Sequence, residues 1–158
     1  KMQQVGGATS ITGVQAKYDL KLGVFHLDND VLWQATTTTQ VRIPTWATTH
    51  AVYLEAKFFK KKLLINAGVD VRYLSAFDRQ GYSPVILNFY NADGANSSSM
   101  FTYDAFISYK IRLLRGFVRV DNINNIYDKK AQYQIDRYPI DKFAIKFGFD
   151  WIFNNWGG

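Results

Sequence analysis

Length, composition and charge exclude several classes of protein for this chain of 158 residues. It is 47% hydrophobic and 16% aromatic, unlike a disordered tail, and no stretch approaches the roughly 18 consecutive apolar residues of a membrane-spanning helix. It has no cysteine, and its two histidines, His26 and His50, lie far apart without the spacing of metal ligands. We therefore predict no metal site and no cofactor.

The net charge of +6 would suit a nucleic-acid-binding protein, which usually gathers its basic residues on one face among stacking aromatics. Here the basic residues cluster in short segments, notably Lys60 to Lys62 and Arg112 to Arg115. We interpret these segments as solvated turns and predict that nucleic acid is not a partner.

In the first half of the chain, apolar and polar residues alternate with a period of two. Successive side chains of a strand point to opposite faces, so this period predicts extended strands rather than helices. The clearest example runs from Leu63 to Tyr73, where every second residue is apolar. The predicted strands cover residues 11–22, 29–42, 50–59 and 62–74.

The second half begins with a long connection, at about residues 75–100, that is rich in glycine, asparagine and serine. A connection of this length is usually functional or mobile. Strands are predicted again at 101–113 and 116–123, followed by a loop that contains Tyr138 and Pro139, and by a terminal strand at 142–153.

The terminal strand has the strongest alternation, because one of its faces is almost entirely aromatic. The opposite face holds a lysine, an aspartate and a glycine, which suits a wet interior. We predict that the apolar face contacts lipid, as in an outer-membrane β-barrel. The predicted lipid-facing residues are Phe143, Ile145, Phe147, Phe149, Trp151 and Phe153.

Connection lengths alternate between short and long, which is typical of bacterial barrels with short periplasmic turns and long extracellular loops. Seven strands is an odd number, whereas a closed single-chain bacterial barrel has an even one. The first ten residues also lack the apolar region and cleavage motif of a signal peptide, so we expect a processed product or a fragment. We therefore predict an all-β, antiparallel transmembrane outer-membrane β-barrel, represented by about seven or eight C-terminal strands of a larger barrel.

Three segments resemble the C-terminal part of the putative porins of Bacteroidetes outer membranes. They are a hairpin ending in F-x-R-x-D-N-x-N, a loop with Tyr-Pro, and a terminal strand with F-G-x-x-W-x-F. The resemblance covers about residues 51–155 and implies an outer-membrane barrel longer than this chain, with a pore role. Similar endings occur in TonB-dependent receptors, and residues 154–158 depart from the pattern by extending beyond the terminal aromatic. The matching residues are Phe117, Arg119, Asp121, Asn122, Asn124, Tyr138, Pro139, Phe147, Gly148, Trp151 and Phe153.

Charged residues on the face opposite the aromatics form the candidate site. In a pore they would set the field across the lumen, with no strong preference for one ion because both signs are present. The alternative is that they only pair across strands and solvate the interior. The predicted lumen-facing residues are Lys17, Asp19, Glu55, Lys57, Asp70, Arg72, Asp104, Lys110, Arg112, Arg119, Asp121, Lys146 and Asp150.

Two groups of residues leave alternatives open. Arg119 and Asp121 would form either a local ion pair or part of a buried network that holds a loop. Aromatic residues near strand ends would form interfacial girdles in a membrane, or part of the core of a soluble β-sandwich. The girdle candidates are Trp33, Tyr73, Phe77, Tyr109, Trp151 and Trp156.

These features predict a porin-like channel in the bacterial outer membrane for passive diffusion of small hydrophilic solutes, with the long loop narrowing its mouth. No nucleophile elbow accompanies the aspartates, so we predict that the protein is not an enzyme. The expected partners are outer-membrane lipid and small hydrophilic solutes. The alternatives are a fragment of a TonB-dependent transporter, and a structural barrel that binds other outer-membrane proteins in a complex.

Overall fold

The computed structural model of the chain describes residues 7–91, 98–127 and 132–153, most of which form strands. A single short helix, α1 (Asn124–Tyr127), is present among these residues, and no helix among them is long and apolar enough to cross a membrane. In chain order the strands are β1 (Ile11–Leu22), β2 (Phe25–Thr36), β3 (Trp46–Phe58), β4 (Leu63–Leu74), β5 (Gln80–Ser83), β6 (Asn88–Asn91), β7 (Met100–Ile111), β8 (Leu114–Asp121), β9 (Tyr133–Ile135), β10 (Tyr138–Pro139) and β11 (Ala144–Trp151).

Seven strands form one large sheet in the order β1-β2-β3-β4-β7-β8-β11, and every neighbouring pair is antiparallel. The prediction of an all-β, antiparallel fold is confirmed, but the sheet is not closed into a barrel. Among the described residues, the edge strands β1 and β11 each pair on one side only. Seven alternating strands leave both edge strands running in the same direction, so these two cannot pair antiparallel with each other.

Short turns join the strands at one end of the sheet, which we call the short-turn end, and longer connections lie at the opposite, long-loop end. The first turn is tight because Gly23 adopts a φ of 64°, and Leu22 pairs directly with Phe25. Strand β2 therefore begins at Phe25 and ends at Thr36, although the sequence predicted residues 29–42. Within the long connections, β5 and β6 form one small hairpin and β9 and β10 another.

Burial in the large sheet is the reverse of that in a soluble protein. Among the described residues the only buried apolar side chain is that of Met100, whereas several polar and charged side chains are buried. Large apolar side chains are exposed instead, and Phe147 has 79% of its surface accessible. A soluble sandwich would cover such a face with a second sheet, and the described residues form only two small hairpins besides the large sheet.

The register defines the two faces of the sheet. We call the face that carries Asp70, Asp104 and Arg119 the inner face, because these residues are partly or fully buried. The outer face carries the predicted lipid-facing residues of β11, which include Phe147 and share their face with Val118 of β8. Every predicted lipid-facing residue is accessible to 40% or more.

Aromatic side chains lie near both ends of the outer face. At the long-loop end, Trp33 pairs with Trp46 across strands, and the rings of Tyr73 and Phe101 are 4.7 Å apart. At the short-turn end, the ring of Trp151 stacks on Phe153 at 5.0 Å. Among the other girdle candidates, Tyr109 lies near the end of β7, Phe77 lies in the loop after β4, and Trp156 is outside the described residues.

One polar pair interrupts the apolar character of the outer face. A hydrogen bond of 2.6 Å joins Nδ1 of His50 and Oδ1 of Asn29, which are direct cross-strand partners. With Oδ1 of Asn29 as the acceptor, Nδ1 of His50 is the donor of this bond. The pair satisfies two polar atoms that would otherwise face an apolar surrounding.

Candidate functional site

The inner face collects the predicted lumen-facing residues from six of the seven strands. Arg112 is the exception, because it lies in the turn between β7 and β8 with a φ of 51°, outside either strand. The strand alternation places the others together: Lys17 and Asp19 on β1, Glu55 and Lys57 on β3, Asp70 and Arg72 on β4, Asp104 and Lys110 on β7, Arg119 and Asp121 on β8, and Lys146 and Asp150 on β11.

Asp104 lies at the centre of the strongest ionic contacts on this face, with 6% of its side chain exposed. Its Oδ2 atom accepts hydrogen bonds of 2.8 Å from Nη2 of Arg72 and from Nη2 of Arg119. Its Oδ1 atom accepts a bond of 2.8 Å from the backbone N–H of Asn122. All of these are charge-assisted bonds, which are shorter and stronger than neutral ones.

Arg119 links Asp104 to two further carboxylates. Its Nε donates to Oδ1 of Asp121 at 2.7 Å, and its Nη2 lies 3.0 Å from Oδ2 of Asp70. Nζ of Lys146 contacts the other oxygen of Asp121 at 2.5 Å. Arg119 and Asp121 thus form a local ion pair, and this pair is part of a larger ionic network that joins strands. We call Asp70, Arg72, Asp104, Arg119, Asp121 and Lys146 the charged cluster.

The charged cluster joins β4, β7, β8 and β11, and its three acidic and three basic groups balance. Two other aspartates, Asp19 and Asp28, lie opposite each other on β1 and β2, and through Ala51 they share a cross-strand row with Asp70 and Asp104. Neither Asp19 nor Asp28 has an ion-pair partner within 4 Å among the described residues. Within this cross-strand row, the carboxylates of Asp70 and Asp104 are neutralised by cations, whereas those of Asp19 and Asp28 are not.

An aromatic row lies next to the aspartate row. The rings of His26 and Tyr53 stack at 4.8 Å, and Tyr53 and Phe106 approach within 6.4 Å. Gly68 lies between Tyr53 and Phe106 in the register, and a Cβ atom there would come within 2.4 Å of Tyr53 Cβ and of the Val52 carbonyl oxygen. Glycine at this position lets the chains of β3 and β4 approach closely.

The two small hairpins meet above the long-loop end of the inner face. Gly81 of β5 bridges to Asp136, whose N–H donates to the carbonyl oxygen of Gln80 at 2.9 Å. The rings of Tyr82 and Tyr138 contact each other edge to face at 6.1 Å. Between the β9–β10 hairpin and the sheet lies a recess of about 590 Å³. Its polar lining includes Gln15, Asp30, Thr49, Arg72, Thr102 and Gln134.

Arg79 fixes the connection between β4 and β5, with only 1% of its surface exposed. Its Nη2 donates to the Ser98 carbonyl oxygen at 2.8 Å and its Nη1 to Ser98 Oγ at 3.2 Å, while its guanidinium lies 5.5 Å from the centre of the Phe77 ring. The carbonyl oxygen of Arg79 accepts a hydrogen bond of 3.0 Å from Nη1 of Arg42. Desolvation lowers the pKa of Arg79, and the negative charge of Asp136 opposes this shift.

A comparison with protein families decides the class of this chain. A family model described as a putative porin matches residues 1–155. The chain belongs to the putative porin family. The match includes residues 1–50, where the resemblance found in the sequence was weaker. No curated protein and no solved structure matches the chain.

Membership of the putative porin family favours a channel or a structural protein over an enzyme. The geometry agrees, because the carboxylates of the charged cluster are engaged by cations rather than aimed at a nucleophile. The described residues contain no group of three or more histidine, cysteine, aspartate or glutamate side chains that could hold a metal ion. The ion pairs of the charged cluster can stabilise the inner face, and its charged groups can contact polar solutes.

Sequence reasoning missed several residues of this site. Asp28 and Asp30 lie on the inner face. Oδ2 of Asp30 forms an ion pair with Nζ of Lys17 at 3.0 Å, and the carboxylate accepts two hydrogen bonds from Nε2 of Gln15. A predicted strand that began at Phe25 would have placed both aspartates on the inner face, because polar and apolar residues alternate along β2. Arg79 gave no local signal, because its contacts join segments 19 residues apart.

Proposed function

We propose that the chain forms part of an outer-membrane β-barrel through which small hydrophilic solutes diffuse passively. The observation that carries the proposal is the reversed burial of the sheet, with an apolar exposed outer face and an ionic, partly buried inner face. In water the apolar outer face would cost roughly 25 cal/mol per Å² of exposed apolar surface. In a bilayer, lipid tails cover this face.

Strand length supports a transmembrane orientation. The five long strands contain 12 or 13 residues. At about 3.3 Å per residue they extend over roughly 40 Å, and a tilt near 45° reduces this to about 28 Å. That height matches the apolar band of an outer-membrane barrel, about 25 Å tall.

Strand direction supports closure by additional strands. Because β1 and β11 run in the same direction, an antiparallel barrel that contains this sheet needs an odd number of further strands. The total is then even, as in bacterial single-chain barrels. In such a barrel the inner face lines the lumen, and the hairpins at the long-loop end narrow it.

The charge pattern supports a pathway with weak ion preference. The charged cluster contains equal numbers of acidic and basic groups, and mixed charges do not favour one sign of ion strongly. The recess beneath the β9–β10 hairpin is lined by hydroxyl, amide and charged groups together with apolar side chains. We therefore expect small hydrophilic solutes to pass, with size as the main limit.

Conductance in planar lipid bilayers tests the proposal. We expect the full-length protein, with the strands that complete the barrel, to insert from detergent and to produce discrete conductance steps with a weak preference between potassium and chloride. A protein that inserts but never conducts would contradict the pore and favour the structural barrel considered above. Heat-modifiable migration on unboiled gels would verify in the same samples that a folded β-barrel was tested.

Loosening the hairpins is expected to widen the pathway. Arg79→Gln removes the charge-assisted bonds to Ser98, so we expect a larger and noisier single-channel conductance and faster proteolytic cleavage within residues 75–91. Arg137→Gln is the matched control, because Arg137 lies in the neighbouring hairpin with 86% of its side chain exposed. Equal behaviour of the two variants in conductance and proteolysis would show that Arg79 does not hold the loop.

A further inference from the structure

We propose that the inner face carries, at its short-turn end, a binding site for the phosphate group of an anionic solute. Lys110 of β7 and Arg115 of β8 form the site. The proposal deepens the proposed function and rests on it only for the access of solutes to the inner face.

Lys110 and Arg115 are direct cross-strand partners. Directly opposite residues of an antiparallel pair have Cα atoms about 4.5 to 5.5 Å apart, and like charges at such positions destabilise the pair. Neither side chain forms an ion pair with another residue in the part of the chain that the structure describes. This contrasts with the charged cluster on the same face, where every cation contacts a carboxylate.

The surroundings of this pair provide further hydrogen-bonding groups. A recess of about 530 Å³ is lined by Lys110, Arg115, Ser108 and Asn66, and the last two are cross-strand partners in the adjacent inner row. Both carry polar groups, the Ser108 hydroxyl and the Asn66 amide, that can donate hydrogen bonds.

The chemistry of these groups matches phosphate. The guanidinium of Arg115 can donate two parallel hydrogen bonds to phosphate oxygens, and Lys110 adds a point charge with three donors. The Ser108 hydroxyl can donate one more. A phosphate dianion would therefore neutralise both cations and accept hydrogen bonds from three or four side chains.

Asp150 limits the affinity of the site. It is the cross-strand partner of Arg115 on β11, yet it forms no ion pair with that residue. The charges of Lys110, Arg115 and Asp150 together leave the recess with a net positive charge. The carboxylate of Asp150 nevertheless repels a bound anion. Weak binding suits a conducting pathway, in which a solute must leave as readily as it enters.

Titration of inorganic phosphate into the protein in a neutral detergent, followed by calorimetry at low ionic strength, tests the site. We expect the double variant K110Q/R115Q to bind phosphate about tenfold more weakly, because two charge-assisted contacts are lost. We expect Asp150→Asn to bind about threefold more tightly, because it removes a carboxylate that repels the anion from the strand next to Arg115.

Two control variants separate loss of the site from general effects of charge and folding. Lys61→Gln removes one charge from an exposed turn at the same end of the sheet and is expected to leave binding within about twofold, because solvent and salt screen it. The variant K110R/R115K retains both charges and is expected to bind, which separates lost recognition from lost folding. An equal loss in Lys61→Gln and K110Q/R115Q, or unchanged binding in the double variant, would overturn the site.

A lipid headgroup offers the same phosphate chemistry, so a second arm distinguishes the two sources. Phosphatidylglycerol added to the detergent is expected not to displace inorganic phosphate, and displacement would overturn the assignment to a solute. The outcomes also separate this site from the pore: phosphate binding without conductance contradicts the proposed function alone, and conductance without phosphate binding contradicts the site alone.

Discussion

Replacing Asp104 with alanine is expected to lower the free energy of unfolding by about 3 kcal/mol, since removing one partner of a buried ion pair leaves uncompensated charge. The variant removes the ion-pair partner of Arg72, and it removes a hydrogen-bond acceptor from Arg119 and from the Asn122 N–H. The value lies at the low end for buried pairs because Arg72 is half exposed. Denaturant unfolding in lipid vesicles, followed by tryptophan fluorescence, measures it.

Asp19→Ala is the matched control for Asp104→Ala. Asp19 lies in the same cross-strand row of the inner face, but it is exposed and has no ion-pair partner among the described residues. We expect its replacement to change stability by less than about 0.5 kcal/mol. Similar losses in the two variants would mean that the charged cluster does not stabilise the sheet.

Replacing Val52 with arginine is expected to destabilise the protein in a bilayer by about 2 to 4 kcal/mol, the cost of a basic side chain at the midplane of a barrel's lipid face. Val52 is the middle residue of β3 and lies on the outer face, with 52% of its surface exposed. In a water-soluble protein, arginine at such an exposed position would cost little. Unfolding in vesicles therefore distinguishes a lipid-facing sheet from a solvated one.

Ala51→Arg is the control for Val52→Arg, because the two residues are neighbours on opposite faces. Ala51 lies on the inner face between Asp28 and Asp70 in the register, so a new guanidinium there meets acidic partners. We expect Ala51→Arg to keep most of the stability and to reduce conductance by occupying the lumen. Equal destabilisation by both variants would contradict the assignment of the two faces.

The faces of the sheet could be predicted from the sequence because alternation is a local property of each strand. Lys146 and Phe147 are neighbours in the sequence but lie on opposite faces of the sheet. The alternation of residue types in the sequence is enough to predict this difference. The same reasoning placed Asp70 and Arg72 together with Asp104 on one face. The terminal strand, whose outer positions are nearly all aromatic, gave the clearest signal.

The contacts of the charged cluster could not be predicted, because they depend on register across long connections. Asp70 meets Asp104 only when β4 pairs with β7 across 25 intervening residues. Without that pairing, Arg119 and Asp121 were visible only as charges two residues apart. The short strands β9 and β10 were missed for a related reason: three and two residues are too few to show a period.

The tight turns at the short-turn end have a consequence for how the sheet assembles. Three pairs, β1 with β2, β3 with β4 and β7 with β8, can each form as an autonomous hairpin, because ring closure over two to four residues costs little entropy. The β2–β3, β4–β7 and β8–β11 junctions pair segments across longer connections, and the longest connection separates β4 from β7. We therefore expect assembly to proceed by docking of preformed hairpins, with the β4–β7 junction as the slow step and the charged cluster completed last.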